Sequence, residues 1–257
     1  MEQSFTSKVA LVTGGNSGIG RAIALAFAEQ GAKVVIAARR VVDSEETVAM
    51  IRDAGGEAMF VQTDVSQTAD VKAMVATCIR EYGQLDIAVN NAGIEGTPMV
   101  PTAEYDEAVW RQVIDINLTG VFLCMKYEIP EMLSRGQGCI VNMSSVAGLI
   151  GGRIGSAYYA SKHGVIGATK AAALEYAAQG IRINAVCPAI IETPMVERSF
   201  GGDEEMTAQF RAIRQTRGSG VRHVVALLGW GRVYHRARAG RRWWPPDLMC
   251  NRRQTTF

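Results

Sequence analysis

The stretch Lys8-Val9-Ala10-Leu11-Val12-Thr13-Gly14-Gly15-Asn16-Ser17-Gly18-Ile19-Gly20 decides the fold. An unbroken apolar run enters a glycine-rich turn, and a helical pattern follows. Glycines at such a junction permit a tight turn and close backbone approach to a pyrophosphate, which then rests on the positive end of the helix. A glycine-rich turn alone is a weak signal, and its weight comes from what flanks it.

On the C-terminal side the same unit repeats. Strand-like runs at Lys8 to Val12, Lys33 to Ala38, Ala58 to Gln62, Asp86 to Asn90, Cys139 to Met143 and Arg182 to Cys187 alternate with stretches of helical length. Near-continuous apolar strands joined by long crossovers predict a parallel sheet covered on both faces, because right-handed βαβ crossovers place helices there. The expected fold is therefore α/β, a doubly wound, Rossmann-like parallel sheet flanked by helices. Such sheets bind ligands at the carboxyl ends of their strands, near the switch point of strand order. After Ile213 the alternation stops. Only Val221 to Leu228 is apolar in the last part of the chain, no seventh strand is predicted, and the C-terminal strand is expected to be missing or altered.

The 257 residues suit one α/β domain. A chain 48% apolar and 20% charged is globular in composition, which excludes disordered and collagen-like classes. The formal charge of +2 hides a division: residues 206–257 hold 11 arginines and one acid, whereas residues 1–205 hold 16 basic and 24 acidic side chains, so −8 and +10 give +2. Five scattered cysteines without a CxxC pair suggest neither a zinc site nor a disulfide framework, and no metal is expected. No stretch is long and apolar enough for a signal core or a membrane span, so a cytoplasmic protein without membrane or nucleic-acid partners is expected.

The spacing T-G-x-x-x-G-x-G from Thr13 to Gly20 resembles the cofactor loop of the classical short-chain dehydrogenase/reductases, and further motifs similar to that family follow in order. They are Asp64-Val65, Asn90-Asn91-Ala92-Gly93, Asn117, Gly138 to Ser145, Tyr158 with Lys162, and Pro188 with Thr193-Pro194. The resemblance covers residues 6 to about 213. It implies an oxidoreductase that moves a hydride between a nicotinamide cofactor and a small carbonyl or alcohol substrate. It also implies a homo-oligomer, a dimer or tetramer. Cofactor contacts are implied for Gly14, Asn16, Ser17, Gly18, Ile19 and Gly20, for Arg39, Asp64 and Val65, and for Asn91, Ala92 and Gly93. Tyr158, Lys162, Pro188, Ile191 and Thr193 complete that set.

Catalysis is implied for Asn117, Ser145, Tyr158 and Lys162. Tyr158 and Lys162 are four residues apart, hence on one helix face. A phenol titrates near 10, too high for a base at neutral pH, and a neighbouring ammonium together with an oxidised nicotinamide is expected to lower it. Ser145, rather than Ser144, would hydrogen-bond the substrate oxygen, and Asn117 would hold a water that links Lys162 to solvent. His163 has no role in this scheme.

At the end of the second strand Ala38 stands where an acid would select NAD, and Arg39 follows. Arginine suits a 2′-phosphate, so NADP is expected, with NAD as the alternative if Arg39 only stacks on adenine. Substrate identity is not legible in the loops Ile94 to Val100, Leu149 to Gly155 and Ile190 to Gly202, the last of which is expected to supply a lid from Pro194 to Gly202.

Two departures from the family stand out. Pro188-Ala189 replaces the usual Pro-Gly and places a methyl group beside the nicotinamide site. The larger one divides the chain into a dehydrogenase-like domain, residues 1–213, and an atypical arginine-rich segment, residues 214–257. Read one base out of frame, Trp243-Trp244-Pro245 necessarily encodes Gly-Gly and Trp230-Gly231 necessarily yields Gly, and the remaining codons allow a family-like ending. A base insertion or deletion near Arg214 is therefore the expected origin of the segment. A second function class stays open: a nucleotide-binding protein that is catalytically impaired, or one whose tail binds anionic partners.

Overall fold

A computed structural model describes residues 4–200, 226–229 and 232–235. Six strands, β1 (Val9–Thr13), β2 (Lys33–Ala38), β3 (Glu57–Gln62), β4 (Ile87–Asn90), β5 (Gly138–Met143) and β6 (Ile181–Cys187), pair in parallel in the order β3-β2-β1-β4-β5-β6. Their limits lie within a residue of those read from the sequence, because an apolar run buried on both faces needs no alternation to be seen. The order reverses between β1 and β4, which is where the glycine-rich turn emerges. Register sets Thr13 beside Asn90, and Asn90 beside Asn142, so that the carboxyl ends of the three central strands are level.

Successive residues of each strand feed opposite cores. Leu11, Val35, Ala88 and Ile140 pack with Met74, Cys78, Val121, Cys124 and Val165 from α3 (Thr68–Tyr82), α5 (Gly120–Ser134) and α6 (Ser156–Tyr176). Ala10, Val12, Val34, Ile36, Val89 and Val141 pack with Ile23, Phe27 and Ile51 from α1 (Gly18–Glu29) and α2 (Val41–Asp53). This is the doubly wound arrangement the sequence predicts. Between α4 (Glu107–Ile114) and α5 the chain runs through a π-turn, Asp115–Thr119. A short helix, α7 (Pro194–Phe200), follows β6.

One expectation is corrected. Among the described residues the sheet has eight strands, because β7 (Ala226–Gly229) pairs antiparallel with β6, and β8 (Arg232–His235) antiparallel with β7. A bare β6 edge offers a row of unpaired backbone groups, and part of the apolar Val221 to Leu228 segment supplies a partner. Each added strand is four residues long, too short for a period to show in the sequence. The rest of residues 214–257 lies outside the described residues. Among the described helices none is long and apolar enough to cross a membrane.

Candidate active site

The turn after β1 is wound tightly. Gly14 and Gly18 have φ of +65° and +51°, in the left-handed region that glycine adopts without strain, and a Cβ on Gly20 would run into the Gly14 carbonyl. Thr13 and Asn91 lock it from the next strand. Thr13 Oγ1 accepts from the N–H groups of Asn91 (2.9 Å) and Ala92 (3.0 Å), while Asn91 Nδ2 donates to the carbonyls of Thr13 (3.0 Å) and Gly14 (3.3 Å). The Asn91 side chain is thus committed to bracing the turn. Ser17 precedes the first turn of α1 without a side-chain cap bond to it, which leaves the leading N–H groups of Gly18, Ile19 and Gly20 for an anionic group.

Arg40 ties this turn to β2. Its Nη2 donates to Ser17 Oγ at 3.0 Å, its Nε lies 2.8 Å from Asp43 Oδ2, and the Asn16 amide oxygen, turned toward it, accepts at 2.9 and 3.0 Å. The sequence reading singled out the preceding arginine instead. Its i+3 ion pair with Asp43 is an ordinary helix-start contact, and the partners that tie it to the turn, Asn16 and Ser17, lie a full βα unit upstream. Arg39 Nη1 is 3.9 Å from Asp64 Oδ2, with both side chains partly exposed. Together with Ser66, Arg111, Gln112 and Asp115 they border a groove of about 330 Å³ at the carboxyl ends of β2 and β3. Asp64 Oδ1 also accepts from the Ser66 N–H (3.0 Å) and hydroxyl (2.7 Å), and the buried Val65 sits where a Cβ on Gly120 would be. Open N–H groups, a glycine turn and a neighbouring polar groove with two arginines and two aspartates on its rim fit a nicotinamide dinucleotide.

The residues expected to be catalytic come together on the other side of the β1–β4 switch. Lys162 is buried, its Nζ lies 5.5 Å from the Tyr158 ring centroid, and it donates to the Met143 carbonyl at 2.9 Å. Ser145 lies close enough to the Tyr158 hydroxyl to favour its ionised form, and its Oγ accepts from the Ala147 N–H at 3.2 Å. Ser144 instead donates to the Lys162 carbonyl at 2.8 Å from a buried position, so the two serines are cleanly divided in what they touch. Asn117 sits in the π-turn, a device common at functional sites because it re-aims one side chain. Its amide holds both backbone groups of Ile94, accepting at 2.8 Å and donating at 2.9 Å, and also donates to Ser161 Oγ at 3.2 Å. A Cβ on Gly93 would stand 3.1 Å from Asn117 Oδ1 and 3.6 Å from Lys162 Nζ, so glycine lets these two groups approach one space.

Electrostatics differ from the expectation in one respect. Burial pushes the Tyr158 phenol above its usual value of 10, Ser145 pulls it back, and Glu95 and Tyr159 push it further up. The expected lowering is absent in the protein alone. Lys162 points its ammonium at the Met143 carbonyl and is itself desolvated, which lowers it to about 8.

Segments after β6 close the remaining side. The Pro188 carbonyl accepts from the Val146 N–H at 2.8 Å, and Thr193 lies against Gly18, where a Cβ would be 3.3 Å from Thr193 Cγ2. Ile191 is half-buried between them in sequence. Arg198 on α7 reaches Glu95 in the loop after β4, Nε to Oε1 at 3.3 Å. His163 is exposed, with Nδ1 2.9 Å from the Tyr159 carbonyl.

A doubly wound sheet with a glycine-rich turn at its switch point, and a Ser-Tyr-Lys group facing the same opening, defines a nicotinamide-dependent oxidoreductase. The family model for short chain dehydrogenase matches residues 8–203, and the chain belongs to the classical short-chain dehydrogenase/reductase family. It is 46% identical over 208 residues to a 3beta-hydroxysteroid dehydrogenase of Mediterraneibacter gnavus, which spans 81% of this chain and 75% of that one. It is 48% identical over 202 residues to a cyclohexanol dehydrogenase of Acinetobacter sp. (strain SE19), covering 76% and 78%. The crystal structure of levodione reductase superposes with a TM-score of 0.77 at 39% identity over 82% of each chain.

Proposed function

We propose that this oxidoreductase interconverts a ring ketone and its secondary alcohol, that Tyr158 is the acid/base, and that NADP is the preferred cofactor. The observation that carries the reading is the convergence of the Ser145 and Tyr158 hydroxyls, the Lys162 ammonium and Asn117 beside the glycine-rich turn. The relatives named for a hydroxysteroid and for cyclohexanol support an alicyclic substrate. So do the exposed apolar side chains Met99, Leu149, Ile150 and Ile190 on the loops after β4, β5 and β6.

When bound, the oxidised nicotinamide would take the hydride, and its ring charge would favour the Tyr158 phenolate. In the protein, Tyr158 Oη takes the alcohol proton or returns it to the ketone oxygen. Ser145 Oγ donates to the same oxygen as charge grows on it. Lys162, whose Nζ stands 5.5 Å from the Tyr158 ring centroid, favours the phenolate, and Asn117, fixed by Ile94, holds the water through which Lys162 meets solvent. Gly14, Asn16, Ser17, Gly18, Ile19 and Gly20 hold the pyrophosphate end. Asp64, Val65, Ala92, Gly93, Pro188, Ile191 and Thr193 shape the walls, with Asn91 acting through the turn it braces.

NADP preference is supported by Ala38, which leaves no carboxylate for a ribose 2′-hydroxyl, and by the paired Arg39 and Arg40 at that end. NADPH oxidation across a panel of ring and open-chain ketones tests the function, and comparable kcat/KM with NAD and NADP would refute the preference. Phe122 on α5 and Leu174 on α6 are large and exposed, which supports a homo-oligomer testable by sedimentation. The 214–257 segment is proposed to arise from a shifted frame. If it disables the protein, nucleotide binds without turnover, and Tyr158→Phe changes nothing further.

A further inference from the structure

Below the catalytic floor lies a buried polar chain that the reaction scheme does not use. Glu128 on α5 is fully buried, and so, within a percent, are Asn90 at the end of β4, Asn142 on β5 and Thr169 on α6. Asn90 Nδ2 donates to Glu128 Oε2 and to Asn142 Oδ1, each at 3.0 Å. Asn142 Nδ2 passes on to Thr169 Oγ1 (2.9 Å) and Met125 Sδ (3.2 Å), and Thr169 donates to the Val165 carbonyl at 2.6 Å.

Every member of this chain is matched except two atoms, Glu128 Oε1 and Asn90 Oδ1, both buried and both without a partner. Both are acceptors, and they belong to the two groups already joined through Nδ2 and Oε2. A buried ionised carboxylate with one hydrogen bond and no cation is among the costliest arrangements a core can contain. One proton removes both defects at once.

We propose that Glu128 is held as a neutral carboxylic acid whose Oε1–H donates to Asn90 Oδ1, and that this paired acid positions the catalytic strand ends. Asn90 leads into Asn91-Ala92-Gly93, and Asn142 precedes Met143, whose carbonyl takes the Lys162 ammonium, and Ser145 two residues further on. A two-bond acid–amide pair fixes the ends of β4 and β5 to each other and to α5. Glu128 thus acts through Asn90 and Asn142 as a positioning residue.

Burial raises the Glu128 carboxyl to about 7, against the lowering effect of its Asn90 bond. The ionisable groups coupled to it are Cys78 on α3 and Cys124 on α5, thiols that burial and Glu128 itself both push up, so neither offers it a positive charge. The sign follows: the folded state keeps a proton that the unfolded chain releases near 4.5, so this group's contribution to stability falls as pH rises from there to about 7, then levels.

The test uses the full chain with Glu128→Gln and Glu128→Leu. Gln offers an N–H where the acid offers its O–H and keeps the accepting oxygen, while Leu strands Asn90. Difference infrared spectra of the wild type against Glu128→Gln are expected to show a protonated-carboxyl stretch below pH 7 that fades above it. The Tm of Glu128→Gln should match the wild type in acid and exceed it increasingly up to about pH 7, where the difference stops growing. In ring-ketone reduction kcat should fall several-fold in Glu128→Leu, with KM for the nucleotide little changed, and recover in Glu128→Gln. A carboxylate stretch for Glu128 below pH 7, or a Tm for Glu128→Gln below the wild type at every pH, overturns the proposal. Only the kinetic readout rests on the assignment of Tyr158, Ser145 and Lys162; the infrared and stability readouts stand or fall without it.

Discussion

At the scale of single residues, Tyr158 and Lys162 carry opposite burdens from one cause. Desolvation raises the phenol and lowers the ammonium to about 8, so each is pushed toward its neutral form. Replacing Tyr158 by Phe removes the proposed proton carrier and little else; kcat should drop by about 10²–10⁴ while nucleotide binding persists. For Lys162, the folded value below 10.5 means that the unfolded chain binds more protons between pH 8 and 10.5, so folding gains stability as pH rises through that window. Lys162→Met should therefore abolish turnover, remove that gain, and raise stability at neutral pH by on the order of 1–2 kcal/mol once the lost Met143 hydrogen bond is counted. Thermal melts across pH check it. Arg39→Ala and Arg40→Ala should each lower the NADP to NAD ratio of kcat/KM by about tenfold, the worth of one charge-assisted hydrogen bond. Tyr158, Lys162, Ser145 and Asn117 are legible in the sequence because they fall in recognisable spacings. Arg40 and Glu128 are not, because what distinguishes each is a neighbour brought in by the fold.

At the scale of elements, the strands were legible and the joints were not. Continuous apolar runs such as Val34 to Ala38 identify themselves, whereas the π-turn that aims Asn117 has no local pattern, and its signal is the contact with Ile94. The turn after β1 is where element and chemistry meet. A methyl group on Gly20 has no space beside the Gly14 carbonyl, so Gly20→Ala should unwind the turn and weaken nucleotide binding at least tenfold, at a stability cost of about 1–3 kcal/mol. Fluorescence titration with NADPH and a thermal melt read the two effects separately. β7 and β8 escaped the sequence reading because edge strands this short are recruited by the exposed β6 ladder rather than by their own periodicity.

For the whole molecule, the net charge joins an acidic family body of −8 to a terminus of +10. The family region and its site explain themselves by one architecture, with ligand groups at the level ends of β1, β4 and β5 and two cores holding that level from either face. The arginine-rich end, whose described part adds β7 and β8 to the edge of that sheet, departs from the family in sequence and charge, the ground on which we propose an origin in another reading frame. A frame-restored protein should be acidic and should sediment as a homo-oligomer of higher solubility than the present chain. The central claim concerns the opening where cofactor turn and Ser-Tyr-Lys group meet. Its most direct measurement is NADPH oxidation driven by cyclohexanone, with nucleotide binding followed in parallel, for the wild type and Tyr158→Phe. The predicted result is turnover in the wild type that is lost in Tyr158→Phe while both bind NADPH alike; equal rates in the two proteins would contradict it.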